Sequence, residues 1–335
     1  MKLPKEREII PIAPLKYIDL EAIFNHYLTE RLAKINGYIS VTYPDEQAFL
    51  FLKKGELFSS GRITGNEFQK TSMMSVLKKM KSFQKKEEAA SLSFCEMDEN
   101  LFKCLLNKFY VEPKYRNLNT KFTDVKKLFD TILKMKYNGF IEFIYKNSIN
   151  FIIVENGELS HVYFCDELQP YLEEALKSND ISILLSTLVH LFDKEEAGGY
   201  INVFNKATDV PAQLSPYIVD LMEKIIMKTV EVIGKEHSAV NLIKYFEGGL
   251  DKVAAKYPEI KNAKIKKDDA DLSGVELPME DFVVAVAMLF NEFIDKLNLV
   301  FPGTAVMKIF DTLKDFRFVL ENAKFFEKSY MKSLL

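Results

Sequence analysis

Hydrophobic residues recur at every second position over two short stretches of the chain. The stretches are Ile39–Tyr43 and Ile141–Tyr145, and a period of two is typical of a β-strand with one face against a core. Each is followed by a nearly continuous apolar run, Ala48–Leu52 or Phe151–Val154. Such a run predicts a central strand that is covered on both faces.

A turn signal and a third strand follow in both places. The turn residues are Lys54-Gly55 in the first stretch and Asn156-Gly157 in the second. Asn-Gly between two strands favours a type I′ hairpin, in which both central residues have positive φ. The third strands are predicted over 56–60 and 158–164.

These patterns belong to an internal repeat. Asn36–Leu57 returns without a gap 102 residues later as Asn138–Leu159, with eight of the 22 positions identical. The likeness resumes between Ser82–Phe94 and Leu191–Phe204, where the offset has grown to 109. The chain therefore carries two copies of one supersecondary unit, and we expect residues 17–97 and 122–205 to superpose.

An amphipathic helix is predicted before each meander. In the first copy Asp19 is the expected N-cap, and apolar residues follow at helical spacing as far as Ile35. In the second copy Thr123 or Asp124 caps a shorter helix. Asn-Gly, at 36–37 and 138–139, is expected to end these helices in the left-handed conformation of a C-cap.

Beyond Ala207 the periodicity predicts helices alone, joined by a charged connector over Asn262–Pro278. The predicted fold class is α+β: two repeated modules, each a helix, a three-stranded meander, a further helix and a strand, and then an all-helical C-terminal domain. The predicted domains are residues 1–118, 119–210 and 211–335.

Composition indicates a soluble protein. Of 335 residues 48% are hydrophobic and 28% charged, and the net charge is −3. Only five of the 45 basic residues are arginine, which argues against nucleic-acid binding, although an AT-rich genome would explain the same scarcity. The longest apolar run, Phe282–Phe290, is too short to cross a bilayer and predicts a buried helix.

The three cysteines and the N-terminal residues favour the cytoplasm. Cys95, Cys104 and Cys165 show no CxxC spacing and are expected to be reduced thiols. Charges and prolines stand near the N-terminus, where a signal peptide would carry an apolar run.

One stretch of the connector fits the minimal EF-hand pattern. Asp269, Asp271, Ser273 and Glu280 fall on the first, third, fifth and twelfth positions, with Gly274 at the turn. Glu at the eighth position, proline at the exit and the lack of a clear entering helix count against calcium. We interpret Asp269–Glu280 as an acidic connector.

No other residues form a recognisable chemical site. The four histidines (His26, His161, His190, His237) lack metal-ligand spacing, and the pairs Glu87-Glu88 and Glu195-Glu196 are expected to be solvated. Gly61–Gly65 lacks the end of a phosphate loop and is expected to be a strand-to-helix turn. We therefore predict no catalytic, cofactor-binding or metal-binding residues, and no cofactor.

The repeated unit resembles the PATAN-type domains, named after the N-terminal region of the cyanobacterial regulator PatA. The matching motifs are Asn-Gly at 36–37 and 138–139, the apolar strands at 49–51 and 151–153, and Gly-Glu-Leu at 55–57 and 157–159. The resemblance covers roughly 17–97 and 122–205 and implies bacterial signalling through non-enzymatic interaction modules. Such modules are often fused to receiver domains, but no receiver-type arrangement of acidic residues and lysine is found, and the C-terminal third lies outside the resemblance.

Two functions stay open, and a third, an enzyme of unknown type, is disfavoured because the sequence shows no convergent polar site. The first is a non-enzymatic cytoplasmic signalling or scaffold protein that binds a partner protein, with no nucleic acid, no membrane insertion and an undefined oligomeric state. The alternative is a small-ligand sensor, with a pocket between the modules or under the C-terminal helices. A broad exposed apolar surface would favour the first. A net charge near zero predicts a protein contact that is apolar at its centre and little affected by salt.

Overall fold

The computed structural model describes residues 1–23, 35–65, 67–85, 90–166, 168–178, 181–194 and 198–334. The fold is mixed α/β, 46% helical and 27% strand. The chain forms two compact units. The first comprises Met1–Leu57, Gly61–Lys70 and Met80–Pro211, and the second comprises Phe58–Ser60, Thr71–Lys79 and Ala212–Leu335. The predicted three-domain division stays a prediction.

A six-stranded sheet forms the first module. The elements are β1 (Arg7–Pro14), α1 (Leu20–Ala22), β2 (Asn36–Thr42), β3 (Gln47–Lys53), β4 (Glu56–Thr64), β5 (Glu67–Lys70), α2 (Met73–Gln84), β6 (Ser91–Met97) and α3 (Glu99–Tyr110). The strand order is β1-β6-β2-β3-β4-β5, and α3 follows β6.

A five-stranded sheet forms the second module. The elements of this module are β7 (Tyr115–Asn119), α4 (Val125–Lys134), β8 (Gly139–Tyr145), β9 (Ser148–Glu155), β10 (Glu158–Tyr163), α5 (Gln169–Ser178), α6 (Ile181–Lys194) and β11 (Tyr200–Asn205). The strand order is β10-β9-β8-β11-β7.

The two sheets share a strand order and a register. The run β6-β2-β3-β4 corresponds to β11-β8-β9-β10. Gly37 pairs with Leu52 and Gly139 with Val154, which keeps the offset of 102, while Ile39 pairs with Phe94 and Ile141 with Val203, which keeps the offset of 109 on the returning strand. In addition, β1 pairs antiparallel with β6 as β7 does with β11.

The type I′ hairpins are confirmed. Lys54 and Gly55 have φ of 53° and 84°, and Asn156 and Gly157 have 53° and 80°. The prediction that Asn-Gly ends the two helices in a left-handed conformation is wrong. Asn36 is the first residue of β2 and Gly139 the first of β8, and in the second copy Lys136, with φ of 48°, takes the left-handed conformation after α4.

Most of the first predicted helix lies outside the described residues, as do His26 and the two Glu-Glu pairs. Its start is described: Asp19 caps α1 by accepting the Ala22 N–H at 2.9 Å. The Gly61–Gly65 stretch is not a strand-to-helix turn, because it completes β4 and leads into β5.

Helices pack on both faces of the second sheet. On one face, Phe143 of β8 lies 5.8 Å from Phe129 of α4 and 5.9 Å from Phe192 of α6, ring centre to ring centre. On the other, Lys108 of α3 binds Glu142 at 2.7 Å. Phe109 of α3 also lies 5.5 Å from Phe51 of β3 in the first sheet, so α3 contacts both modules.

The second unit has a helical core with a small hairpin. Its elements are α7 (Pro216–Ile233), α8 (Ala239–Val253), β12 (Lys264–Lys266), β13 (Asp269–Asp271), α9 (Met279–Leu297), α10 (Ala305–Thr312) and α11 (Arg317–Asn322), with short 3-10 turns at Pro258–Asn262, Lys314–Phe316, Phe326–Lys328 and Tyr330–Leu334. A further 3-10 turn, Leu15–Tyr17, lies in the first unit. Pro216 is the first residue of α7, and Gly234 ends it. Among the described residues no helix combines the length and hydropathy needed to cross a bilayer.

The predicted fold class is wrong. The chain is mixed α/β with three sheets among its described residues, and one of them, β12 with β13, lies in the segment expected to be all-helical. Ile265 and Ala270 pair across this hairpin and are buried, but their neighbours are charged and each strand has only three residues. Each sheet also has more strands than the four predicted for a meander and a returning strand. The first sheet gains β1 and β5, and the second gains β7.

Candidate functional site

An open groove of about 350 Å³ lies between the edge strand β7 and the helix α4 of the second module. Its lining is mainly apolar with a few charged groups at the rim. The lining residues are Lys114, Tyr115, Leu118, Asp124, Lys127, Leu128, Thr131, Ile132, Met135, Tyr137 and Val203.

The helix side of the groove follows from the amphipathicity of α4. Phe129 and Ile132 point to the core of the second module, where they are 2% and 5% exposed. Leu128 packs at the margin of that core, and Met135, just past the helix, is 70% exposed. Asp124 fixes the start of the helix by accepting the Lys127 N–H at 2.9 Å. The apolar stripe of α4 therefore extends beyond what the sheet covers.

The strand side is held by β11. The backbone N–H of Lys114 donates to the Val203 carbonyl at 2.7 Å, and that of Asn117 donates to Oδ1 of Asn202 at 2.6 Å. Asn117 has φ of 53°, which places a bulge in the middle of β7. The bulge limits the length over which another strand could pair with this edge.

Two tyrosines form the aromatic wall of the groove. The Tyr137 hydroxyl donates to the Phe204 carbonyl at 2.9 Å, which fixes the ring. Burial raises the pKa of Tyr137, and the neighbouring Tyr115 adds to the effect. The Lys114 ammonium lies 5.1 Å from the centre of the Tyr137 ring and 5.6 Å from that of Tyr115, within cation–π range.

The segment that carries most of the groove lining is rich in basic residues. Between residues 114 and 137 the chain has seven lysine or arginine residues and two aspartates, although the whole chain has a net charge of −3. Lys114 and Lys127 reach the rim itself, and within the described part of the chain neither has a carboxylate within ion-pair distance. Arg116, by contrast, pairs with Glu112 at 3.5 Å.

A second, smaller cavity lies between the modules. Its volume is about 250 Å³, and its walls include Tyr38, Ser40 and Cys95 of the first module and Cys165 of the second. The polar groups bind one another: Gln47 donates to Ser40 at 2.8 Å, and the Tyr38 hydroxyl donates to the Leu3 carbonyl at 3.3 Å.

The cysteines show little sign of reactivity. Cys95, Cys104 and Cys165 are free and buried. Burial raises the pKa of all three thiols, that of Cys165 to about 12. Because the thiolate is the nucleophile, these groups are poor candidates for covalent catalysis at neutral pH.

A buried ion pair joins α3 to the second sheet. Nζ of Lys108 lies 2.7 Å from Oε2 of Glu142, which is fully buried and also accepts from Asn202 at 2.8 Å. The other carboxylate oxygen of Glu142 has no hydrogen-bond partner among the described residues. The pair lies outside both cavities and serves to join two elements.

The acidic residues of the EF-hand pattern lie in a strand and a helix, not in a single loop. Asp269 and Asp271 lie in β13, and Glu280 lies in the first turn of α9. Asp271 instead binds Nζ of Lys78 at 2.8 Å, and Glu223 binds the same nitrogen at 2.9 Å. Among the described residues no group of acidic, histidine or cysteine side chains could hold a metal ion.

The three charged side chains of this cluster, Lys78, Glu223 and Asp271, shift one another's pKa values. Burial favours the neutral carboxyl of Asp271, but hydrogen bonds from Lys78 and Ser273 outweigh it and lower its pKa to about 2. Burial also disfavours charge on Lys78, yet its bonds to Asp271 and Glu223 raise its pKa. For Glu223 burial prevails and raises the pKa, against the Leu272 N–H and Lys78. The cluster joins Lys78, in the part of α2 that belongs to the second unit, to α7 and β13.

The three described histidines lie on different elements and form no cluster. His161 lies beside Tyr163 on β10 and bonds Ser160, whereas His237 stacks near Tyr245 in the second unit. His190 lies on α6.

The groove could not be predicted from the sequence because β7 carries no strand signal. That strand has an exposed, polar-rich sequence that shows no alternation. The available signal was the cluster of basic residues over 114–136 beside the strongly amphipathic α4.

No protein-family model, curated protein or solved structure matches this chain. The PATAN resemblance therefore stays an expectation.

Proposed function

We propose that this protein is a non-enzymatic interaction module of the bacterial cytoplasm, a signalling or scaffold protein that binds a partner protein through the groove between β7 and α4. The observation that carries the proposal is the apolar lining of that groove, which is exposed at Met135 and Tyr115. A concave apolar surface with a charged rim is typical of protein-binding sites.

The rest of the repeat supports this function by its physical role. The Asn and Gly residues shared by the two copies hold hairpins and close strand contacts, so they account for the repeat through shape alone. The implied role of PATAN-type domains, binding without catalysis, agrees with the same interpretation. Nucleic acid and membrane are not proposed as partners.

The proposal is tested by capturing partners with the full chain from its own cytoplasm. Met135→Asp places a charge in the groove, and Phe122→Asp is the matched control, because Phe122 is 91% exposed and does not line the groove. We expect a specific protein whose recovery falls by on the order of tenfold with Met135→Asp, since burying a charge in an apolar contact costs at least about 1.4 kcal/mol.

Equal recovery with both variants would contradict the groove as the binding surface. Robust turnover in an activity screen, lost on changing one buried polar residue, would contradict the non-enzymatic function. Thermal melts of both variants establish that the fold is intact.

A second candidate is the small-ligand sensor, favoured by the cavity of about 250 Å³ between the modules. The volume lies near the lower limit for ligand pockets, so only a small metabolite would fit. The test is the melting temperature with a panel of amino acids, nucleotides and sugar phosphates. A ligand that raises it in the parent protein but not in Ser93→Leu, which narrows the cavity, would support the sensor.

A further inference from the structure

The charge around the groove indicates which kind of partner it fits. Resting on the proposed function, we propose that the groove between β7 and α4 binds an acidic segment of a partner protein, with a bulky apolar side chain of that segment inserted between strand and helix.

The apolar part of the contact is set by the floor of the groove. Val203 and Ile132 are almost fully buried, while Leu118 and Leu128 are half-buried above them. A side chain that enters here exchanges water for apolar atoms on several sides. At roughly 25 cal/mol per Å² of apolar surface, a leucine or phenylalanine would be favoured over a polar residue.

The charged part is set by Lys114 and Lys127 at the rim. Both are exposed and neither has an ion-pair partner in the described part of the chain, so both are available to carboxylates of a ligand. Among the described lining residues Asp124 is the only acidic one, and its carboxylate accepts the Lys127 N–H at the start of α4. Opposite charges on the partner would speed association and fix its register.

The same observations favour a peptide over a nucleic acid. Single-stranded nucleic acid is usually held by bases stacked on aromatic faces. In the groove the Lys114 ammonium occupies one face of Tyr137 and one of Tyr115. The nearest arginine, Arg116, is already paired with Glu112.

The local charge also changes the expected effect of salt. A contact inferred from the net charge of the whole chain would be nearly insensitive to salt. With seven basic and two acidic residues between 114 and 137, binding of an acidic segment should weaken as ionic strength rises.

The test uses the full chain and three fluorescent probes, followed by anisotropy. The first probe is an amphipathic peptide with glutamate on one face and leucine and phenylalanine on the other. The second has lysine in place of each glutamate, and the third is a single-stranded oligonucleotide of similar negative charge. We expect the acidic peptide to bind at least about tenfold more tightly than the lysine peptide and the oligonucleotide.

Two neighbouring substitutions locate the charge. Lys127→Glu changes the rim, whereas the matched control Lys126→Glu changes an exposed lysine that does not line the groove. Both positions lie in the first turn of α4, where a glutamate is favourable to the helix, so neither should unfold the protein. We expect Lys127→Glu to weaken the acidic peptide about tenfold and to reduce its salt dependence, and Lys126→Glu to change it about twofold or less.

Equal binding of the acidic and lysine peptides, tighter binding of the oligonucleotide, or equal effects of Lys126→Glu and Lys127→Glu would overturn this inference. If the acidic peptide fails while a cytoplasmic protein is still captured in a Met135-dependent way, the acidic partner is wrong and the interaction function stands. If neither binds, both proposals are wrong.

Discussion

Asn36 and Asn138 perform the same task in the two modules. Oδ1 of Asn36 accepts the Lys54 N–H at 3.0 Å, and Oδ1 of Asn138 accepts the Asn156 N–H at 2.8 Å. Each asparagine thereby holds the first of the two central residues of a type I′ turn, 18 positions further along the chain. The repeat was visible in the sequence, but the role of this residue was not, because a helix cap and a strand start use the same residue types.

The repeated glycines answer two different requirements. At Gly37 and Gly139 a Cβ would lie 2.6 Å from the Cys95 carbonyl oxygen and 2.2 Å from that of Phe204, so glycine permits close approach of the returning strand. At Gly157 the requirement is positive φ, and a Cβ would also lie 2.4 Å from the Leu133 carbonyl oxygen. Sequence alone could predict the second requirement from the Asn-Gly pair, but not the first.

Gly157→Val should therefore destabilise the protein by about 3 kcal/mol, because strained φ and a backbone clash act together. Gly303→Ala is the control: φ there is 74°, but nothing lies within 4 Å of the added Cβ. Its cost should be near 1 kcal/mol. Chemical denaturation measures both, and equal costs would show that the clash with Leu133 is absent.

At the scale of elements, the central strands could be predicted from their strong hydrophobic periodicity. The edge strands could not, because their periodicity is weak. The strand predicted to close each module is observed at Ser91–Met97 in the first and at Tyr200–Asn205 in the second. The edge strands β1 and β7 were missed, since an exposed strand at the edge of a sheet needs no apolar face. The hairpin β12–β13 was missed because two buried residues, Ile265 and Ala270, are too few to show a period.

The contact of α3 with β8 yields a test of the buried ion pair. Lys108→Met leaves Glu142 buried without its cation, which typically costs about 3–5 kcal/mol. Removing the second charge as well, in Lys108→Met with Glu142→Gln, should restore most of the lost stability. Urea denaturation of the two variants measures this. If the double variant is no more stable than the single one, uncompensated charge is not the cause.

The hairpin β12–β13 yields a test at low pH. The pKa of Asp271 is about 2 in the folded state, compared with 3.8 for an aspartate side chain without interactions. The ionised form of Asp271 therefore stabilises the folded state above about pH 4. That contribution is lost as pH falls towards 2. Glu223, whose pKa is raised above 4.5, acts in the opposite sense, and its contribution changes at a higher pH than that of Asp271.

Asp271→Asn should accordingly flatten the decline in melting temperature between about pH 4 and pH 2. Asp269→Asn, in the same strand but exposed, serves as the control and should follow the parent curve. Parallel curves for Asp271→Asn and the parent would show that the bond to Lys78 does not set this dependence.

At the scale of the whole molecule, composition and net charge indicated the broad class of protein but gave no information about the candidate site. Net charge suggested a contact indifferent to salt, because the total averages a basic stretch at 114–137 with acidic stretches elsewhere. The groove depends on a strand and a helix that adjoin in the fold, and on an apolar stripe of α4 wider than its sheet. Periodicity can show the stripe, but not how much of it the sheet leaves uncovered.

The most direct test of the interaction function is site-specific photocrosslinking in the living cell. The photoreactive residue p-benzoylphenylalanine would replace Met135 in the groove or, in a separate strain, Phe122 outside it. The proposed function predicts a discrete crosslinked protein from position 135 and little or none from position 122. Equal crosslinking from both positions, or none from position 135, would contradict it.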